Sequence, residues 1–208
     1  MMNIQEIPYI FYAEETPNPS SVKFVANRLL LVSGASADYQ NASEAKDAPL
    51  VLQLFNFPFV KGVFVAANFV SVTKHDHVEW EEIRDELRVF LTKYMNDGKS
   101  VIDKLPQKEV AKDNTFQDKV SVNTQHAAPS NEIENKIIEV LEQYIRPAVE
   151  QDGGLITFKE LKDGIVTVQM RGSCSGCPSS TMTLKAGIEA LLKRLLPDNV
   201  KEVVSEAM

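Results

Sequence analysis

Cys174 and Cys177 are the two cysteines of the chain, three positions apart in Gly172-Ser173-Cys174-Ser175-Gly176-Cys177-Pro178. A C-x-x-C pair supports two kinds of chemistry: holding a thiophilic metal or cluster, and dithiol–disulfide exchange. The pattern puts the pair between a strand and a helix, with Pro178 in the first helical turn, where its missing N–H costs nothing. At a helix N-terminus the aligned peptide dipoles favour thiolate over thiol. Ser173, Ser175 and Gly176 are small, so backbone N–H groups can approach and hydrogen-bond whatever the sulfurs hold.

The ligand count sharpens this. An iron–sulfur cluster usually takes four thiolates, and this chain supplies two. The simplest closure is a symmetric dimer with one C-x-x-C from each subunit. A cluster shared across a surface would be easy to release. Two rivals stay open at this point. A thioredoxin-like redox dithiol also sits between strand and helix, although an antiparallel hairpin precedes this one and no aromatic residue precedes Cys174. Two pairs could also close a structural zinc site of four thiolates. Idle core cysteines fit poorly, because Ser173, Ser175 and Gly176 make a poor core segment.

Other chemistry-bearing residues read more simply. His75 and His77 share one side of a strand end, but no third ligand is near in sequence, so a polar strand terminus is the better reading. His126 lies in a polar stretch and reads as solvated. Trp80 and Phe90 read as core packing. Asp152-Gly153-Gly154 reads as a turn that needs positive φ. Phe55, Phe57 and Phe59 alternate around Pro58 and fit either a core or an exposed docking patch.

The elements around the pair follow from periodicity. Ile133, Ile137, Leu141, Tyr144, Ile145 and Ala148 recur at helical spacing, started by Asn131 and Glu134 and kinked or ended near Pro147. Leu155 to Leu161 reads as a strand, Asp163-Gly164 as a two-residue hairpin turn, and Ile165 to Met170 as its alternating partner. After the cysteines a helix runs through Leu184, Ile188, Leu191, Leu192 and Leu195, and Val200 to Val204 is a last short strand.

The first part of the chain is a separate patterned block. Ile7 to Ala13 and Val22 to Val25 read as strands around Thr16-Pro17-Asn18-Pro19, with Leu29 to Val32 as a further strand. Pro49 to Phe55 is a short helix. Gly62 to Ala67 and Asn68 to Thr73 are strands joined by a tight turn at Ala67-Asn68. Val78 to Met95 is a helix with Ile83, Leu87, Phe90, Leu91 and Tyr94 on one face. The stretch between the blocks is polar, and its scattered Val110, Phe116, Val120 and Val122 bury too little surface to offset ordering entropy. The prediction is an α+β protein of two small domains, 1–96 and 130–208, joined by a flexible polar linker over 97–129. A short docking strand over Phe116 to Val122 is the alternative for the linker.

Composition excludes several classes. The formal net charge is -7, with 29 acidic against 22 basic residues, which argues against nucleic acid or an anionic membrane surface as partner. No apolar run is long enough to span a membrane, and residues 1–8 show neither a signal peptide nor an Arg-rich transit segment. With two closely spaced cysteines, a reducing cytoplasm is the expected compartment.

Residues 130–204 resemble the C-terminal domain of the NifU/Nfu iron–sulfur scaffold family. The resemblance rests on Arg146-Pro147, Asp152-Gly153-Gly154, Gly164-Ile165-Val166, the segment Gly172 to Ser180, Thr183-Leu184 and Gly187-Ile188-Glu189. Residues 8–95 resemble the N-terminal domain of Nfu-type members through Thr16-Pro17-Asn18-Pro19, Val22-Lys23-Phe24, Ala48-Pro49-Leu50, Leu54-Phe55, Gly62-Val63, Asn68 to Lys74 and Trp80. Leu29 to Gln40 departs from any pattern in that family. The resemblance implies a cluster bridging two subunits, [4Fe–4S] before [2Fe–2S], with Cys174 and Cys177 as ligands. It also implies a homodimer when loaded, handover to apo client proteins, and an N-terminal domain that recognises clients or assembly partners. No acid–base pair, activated nucleophile or phosphate loop stands out, so a non-enzymatic carrier is expected.

Overall fold

The computed structural model describes residues 7–32, 35–104, 126–175 and 178–207. Cys177 and most of the polar stretch, with the docking strand considered there, lie outside the described residues. The fold is α+β, in two domains.

The first domain is a five-stranded antiparallel sheet in the order β1-β2-β5-β4-β3. Its strands are β1 (Phe11–Glu15), β2 (Ser21–Ala26), β3 (Ser36–Tyr39), β4 (Val60–Ala66) and β5 (Phe69–Lys74). The helices α1 (Pro49–Leu54) and α2 (Trp80–Asn96) cover one face. Strand alternation decides what they bury: Phe24 of β2, Val65 of β4 and Val70 of β5 face the helices and pack with Leu50, Leu54, Leu87 and Leu91. The expected turn joins β4 to β5, with Ala67 at φ 37. Trp80 and Phe90 pack against this core, and its indole N–H fixes Trp80 to the Pro19 carbonyl at 3.0 Å. The Phe57 and Phe59 rings lie 5.4 Å apart against the same core, which answers the question left by their alternation: they are packing residues.

One sequence expectation fails here. Leu29 to Val32 is not a strand: Leu30 and Leu31 donate their amides to the Ala67 carbonyl at 2.7 and 2.9 Å, so the segment is a loop folded over the hairpin turn. The fifth strand is instead Ser36–Tyr39, which pairs with β4 through Ala37↔Val65. Small and polar residues form a strand there because β4 offers an open edge.

The second domain is a three-stranded sheet in the order β6-β7-β8, of β6 (Gly154–Lys162), β7 (Ile165–Gly172) and β8 (Glu202–Ala207). β6 and β7 form the expected hairpin, with Asp163 at φ 54 and Gly164 at φ 84 supplying the turn. β8 pairs parallel to β7, so β7, helix α5 (Pro178–Leu195) and β8 make a crossover unit. Ile188 and Leu192 of α5 are fully buried beneath it.

The first helix of this domain starts as read. Asn131 Oδ1 accepts from the Glu134 amide at 2.9 Å, while Glu134 reaches back to the Ser130 amide at 2.7 Å. It runs as α3 (Glu132–Val140), opens into one wide turn over Leu141–Ile145, and continues as α4 (Arg146–Gln151). Pro147 explains the wide turn, since it has no N–H to give to the preceding turn and its ring displaces the carbonyl there.

His126 is not solvated. Its side chain is 2% exposed, Nδ1 accepts the Phe158 amide at 2.7 Å, and Nε2 meets Glu142 Oε1 at 2.5 Å. An amide donating to Nδ1 leaves the proton on Nε2, so the ring is the neutral tautomer. Burial lowers its pKa, against the pull of Glu142. Sequence-local composition misled here, because the partners are 16 and 32 residues away.

Candidate metal centre at the C-x-x-C loop

Cys174 stands at the strand-to-helix turn of the β7–α5–β8 crossover, just beyond Gly172. Gly172 takes φ 65 and turns the chain out of the sheet. Ser175 folds back onto it, donating its amide and its hydroxyl to the Gly172 carbonyl at 3.0 and 2.8 Å. Ser173 donates its amide to the Gly153 carbonyl at 3.2 Å, and its hydroxyl to that of Asp152. The Asp152-Gly153-Gly154 turn therefore buttresses the cysteine loop from behind. Gly153 has the positive φ that its motif predicted, at 79. Gly154 is glycine for a different reason: a Cβ there would lie 2.6 Å from Cys174 Sγ.

The Cys174 thiol is free and buried, only 7% exposed, among the core residues of its domain. Burial pushes it up to about 11, a hydroxyl contact from Ser173 opposes that, and the Asp152 carboxylate adds to it. The expected thiolate-favouring environment is not what this arrangement gives Cys174. Withdrawal from solvent disfavours the charged thiolate.

Around the loop lies the first domain. Its second sheet face carries Lys23 and Val25 of β2, Phe64 and Ala66 of β4, Phe69 and Ser71 of β5, and Asp38 of β3. Val25, Phe64, Ala66 and Phe69 form one apolar cluster with Leu155 of the second domain. Burial pushes the Asp38 carboxyl up to about 6, against the opposing charge of Arg171 and hydrogen bonds from Gln40 and the Gly172 amide.

The remaining sequence candidates are not assembled into this site. The His75 and His77 rings stack 5.7 Å apart at the far end of β5. Among the described residues, no group of three His, Cys, Asp or Glu could hold a metal ion. The sequence reasoning missed Asn18 and Asp38, both of which reach the cysteine loop from the first domain. Only Asn18 carried a signal, as part of the Thr16-Pro17-Asn18-Pro19 motif.

The chemistry of the dithiol has to be weighed with the crossover in view. The preceding hairpin argued against a redox role, yet Cys174 stands at the turn of a strand–helix–strand unit, a placement that redox dithiols share.

Comparison with known proteins bears on this choice. Residues 11–98 match the family model described as scaffold protein Nfu/NifU N terminal, and residues 137–204 match the NifU-like domain. The chain is 35% identical over 196 residues to proteins of Drosophila erecta and Drosophila yakuba, each named NFU1 iron-sulfur cluster scaffold homolog, mitochondrial. The matches cover 93% of this chain and 65% of those relatives. A solution NMR structure of a NifU-like protein from Saccharomyces cerevisiae is 27% identical, covering 50% of this chain and 92% of that one. Its TM-score of 0.43 is too low for the likeness to bear on the argument.

The expectation of a cytoplasmic protein is corrected by these relatives, which are designated mitochondrial. Two closely spaced cysteines carry no address. Among the described residues, no helix is long and apolar enough to cross a membrane. With one family model matched on each domain, and the cysteine loop inside the second match, the chain belongs to the NifU/Nfu-type scaffold family.

Proposed function

We propose that this chain is an iron–sulfur cluster scaffold or carrier. Two copies share one cluster through Cys174 and Cys177 of each, [4Fe–4S] in preference to [2Fe–2S], and hand it to apo client proteins. The observation that carries this reading is the family match on both domains, together with a C-x-x-C that supplies half the usual thiolate set. Handover is ligand exchange at iron. A client thiol gives up its proton and forms a new Fe–S bond as the bond to Cys174 or Cys177 breaks, and that proton passes to the departing sulfur. No electron moves, and no acid–base machinery is required, so the protein is not an enzyme in this reading.

The test is anaerobic reconstitution with ferrous iron and sulfide, followed by iron and sulfide analysis and sizing. The expected product has about one cluster per two chains, with broad visible absorption and dimer mass. Cys177→Ser should abolish it while far-ultraviolet circular dichroism stays unchanged. A full cluster retained by that variant overturns the ligand assignment. Zinc bound in preference to iron, or disulfide cycling as a monomer without iron uptake, overturns the function.

A further inference from the structure

The cysteine loop is gripped from outside its own domain. Among the described residues, polar contacts cross from the first domain to the cysteine loop and to the turn and helix end that back it. The Asn18 side-chain amide donates to the Ser173 carbonyl at 2.9 Å, next to Cys174. The Ser71 hydroxyl donates to the Gly153 carbonyl at 2.6 Å, and Lys23 Nζ to that of Gln151 at 3.2 Å. The Asp38 carboxylate accepts the Gly172 amide. Backbones approach closely at the same points. A Cβ on Gly153 would lie 2.7 Å from the Ser71 hydroxyl, and one on Gly172 would lie 2.9 Å from the Phe64 ring.

The sheet face that makes these contacts is built to be covered. Every residue of β2 is buried, whichever face it occupies. On the face away from the helices Val25, Phe64, Ala66 and Phe69 pack on Leu155, and Ser71 beside them is 1% exposed. Strands buried on both faces belong to sheets with something packed on each side. Here the second layer is the chain's own second domain.

We infer that the first domain is an intramolecular clamp on the C-x-x-C loop. Docked, it holds Gly172, Ser173 and the Asp152-Gly153-Gly154 turn in the conformation that buries Cys174. A cluster shared between two chains needs that sulfur on an open surface, so domain docking and cluster sharing exclude one another. This inference rests on the proposed function for its consequence, but its structural core concerns a single thiol. Release of the clamp frees the loop to turn Cys174 outward and uncovers the face of Phe64, Phe69 and Ser71 at the same moment. Docking thus ties exposure of the cysteine to exposure of that sheet face.

The experiment separates the two ideas by using the full chain in a Cys177→Ser background, where Cys174 is the one thiol and cluster sharing plays no part. Iodoacetamide modification of Cys174 is followed by intact mass at fixed pH, with and without Ser71→Arg. The larger side chain is accommodated on an open sheet face and not in a docked one. Modification is expected to be at least about tenfold faster with Ser71→Arg. Val25→Glu, on the neighbouring strand of the same face, provides the same readout should Ser71→Arg misfold. Equal rates in the parent and in a folded variant overturn the clamp. In the chain with both cysteines, Ser71→Arg should also take up iron and sulfide faster. Faster alkylation in the single-thiol background together with no iron uptake in any chain keeps the clamp and overturns the proposed function.

Discussion

Replacing Gly172 by alanine tests the close approach of the two domains most directly. Two penalties act there. The residue sits at φ 65, and an L side chain in that region costs about 1–2 kcal/mol. The new Cβ would also lie 2.7 Å from the Gly153 carbonyl oxygen and 2.9 and 3.0 Å from two Phe64 ring carbons. Crowding of that kind adds about 1–3 kcal/mol. Gly164→Ala is the matched control in the same domain: its φ is 84, but its neighbours are side-chain carbons of Lys201, at 3.0 Å, which can swing aside. Both variants carry the conformational term, and Gly172→Ala alone carries the crowding. Urea unfolding of the second domain should show Gly172→Ala the less stable by about 1–3 kcal/mol. Part of that difference should vanish in a Phe64→Ala background, where the ring is gone and the carbonyl remains, in the manner of a double-mutant cycle. Equal loss in the two glycine variants, or a difference unmoved by Phe64→Ala, would refute the packing of Phe64 on Gly172.

Three further outcomes follow from the geometry. Gly154→Ala places a Cβ 2.6 Å from Cys174 Sγ and should displace the thiol from its buried position without touching either cysteine, so in a Cys177→Ser background alkylation of Cys174 by iodoacetamide should be several-fold faster, as followed by intact mass. His126→Ala leaves the buried Phe158 amide without its acceptor and should cost about 1–3 kcal/mol in denaturant unfolding. Because burial holds the His126 pKa below 6.5, its contribution is complete above that value and is lost as pH falls, since the unfolded chain binds the proton first. The melting-temperature difference between the parent protein and His126→Gln should therefore shrink between neutral and mildly acidic pH, and a difference that grows would contradict the neutral, buried ring.

Local chemistry made much of this protein legible from sequence. The Asp163-Gly164 hairpin, the Asn131 cap, the kink at Pro147 and the two amphipathic helices each depend on a few neighbouring residues, and each stands where its pattern put it. The C-x-x-C at the end of β7 and the beginning of α5 was visible for the same reason. What the pattern could not carry is everything decided by pairing across distance. Ser36–Tyr39 is a strand only because β4 offers it an edge, and β8 lies parallel to β7 only because α5 returns the chain to that side. His126 is buried by partners far along the chain. The state of Cys174 belongs to the same class: a strand-to-helix turn suggested a thiolate, but the tertiary fold withdraws the sulfur from water, which disfavours the charged form. Residue spacing fixes which way a side chain leaves the backbone, whereas the surface it then meets is assembled from segments that the spacing does not relate.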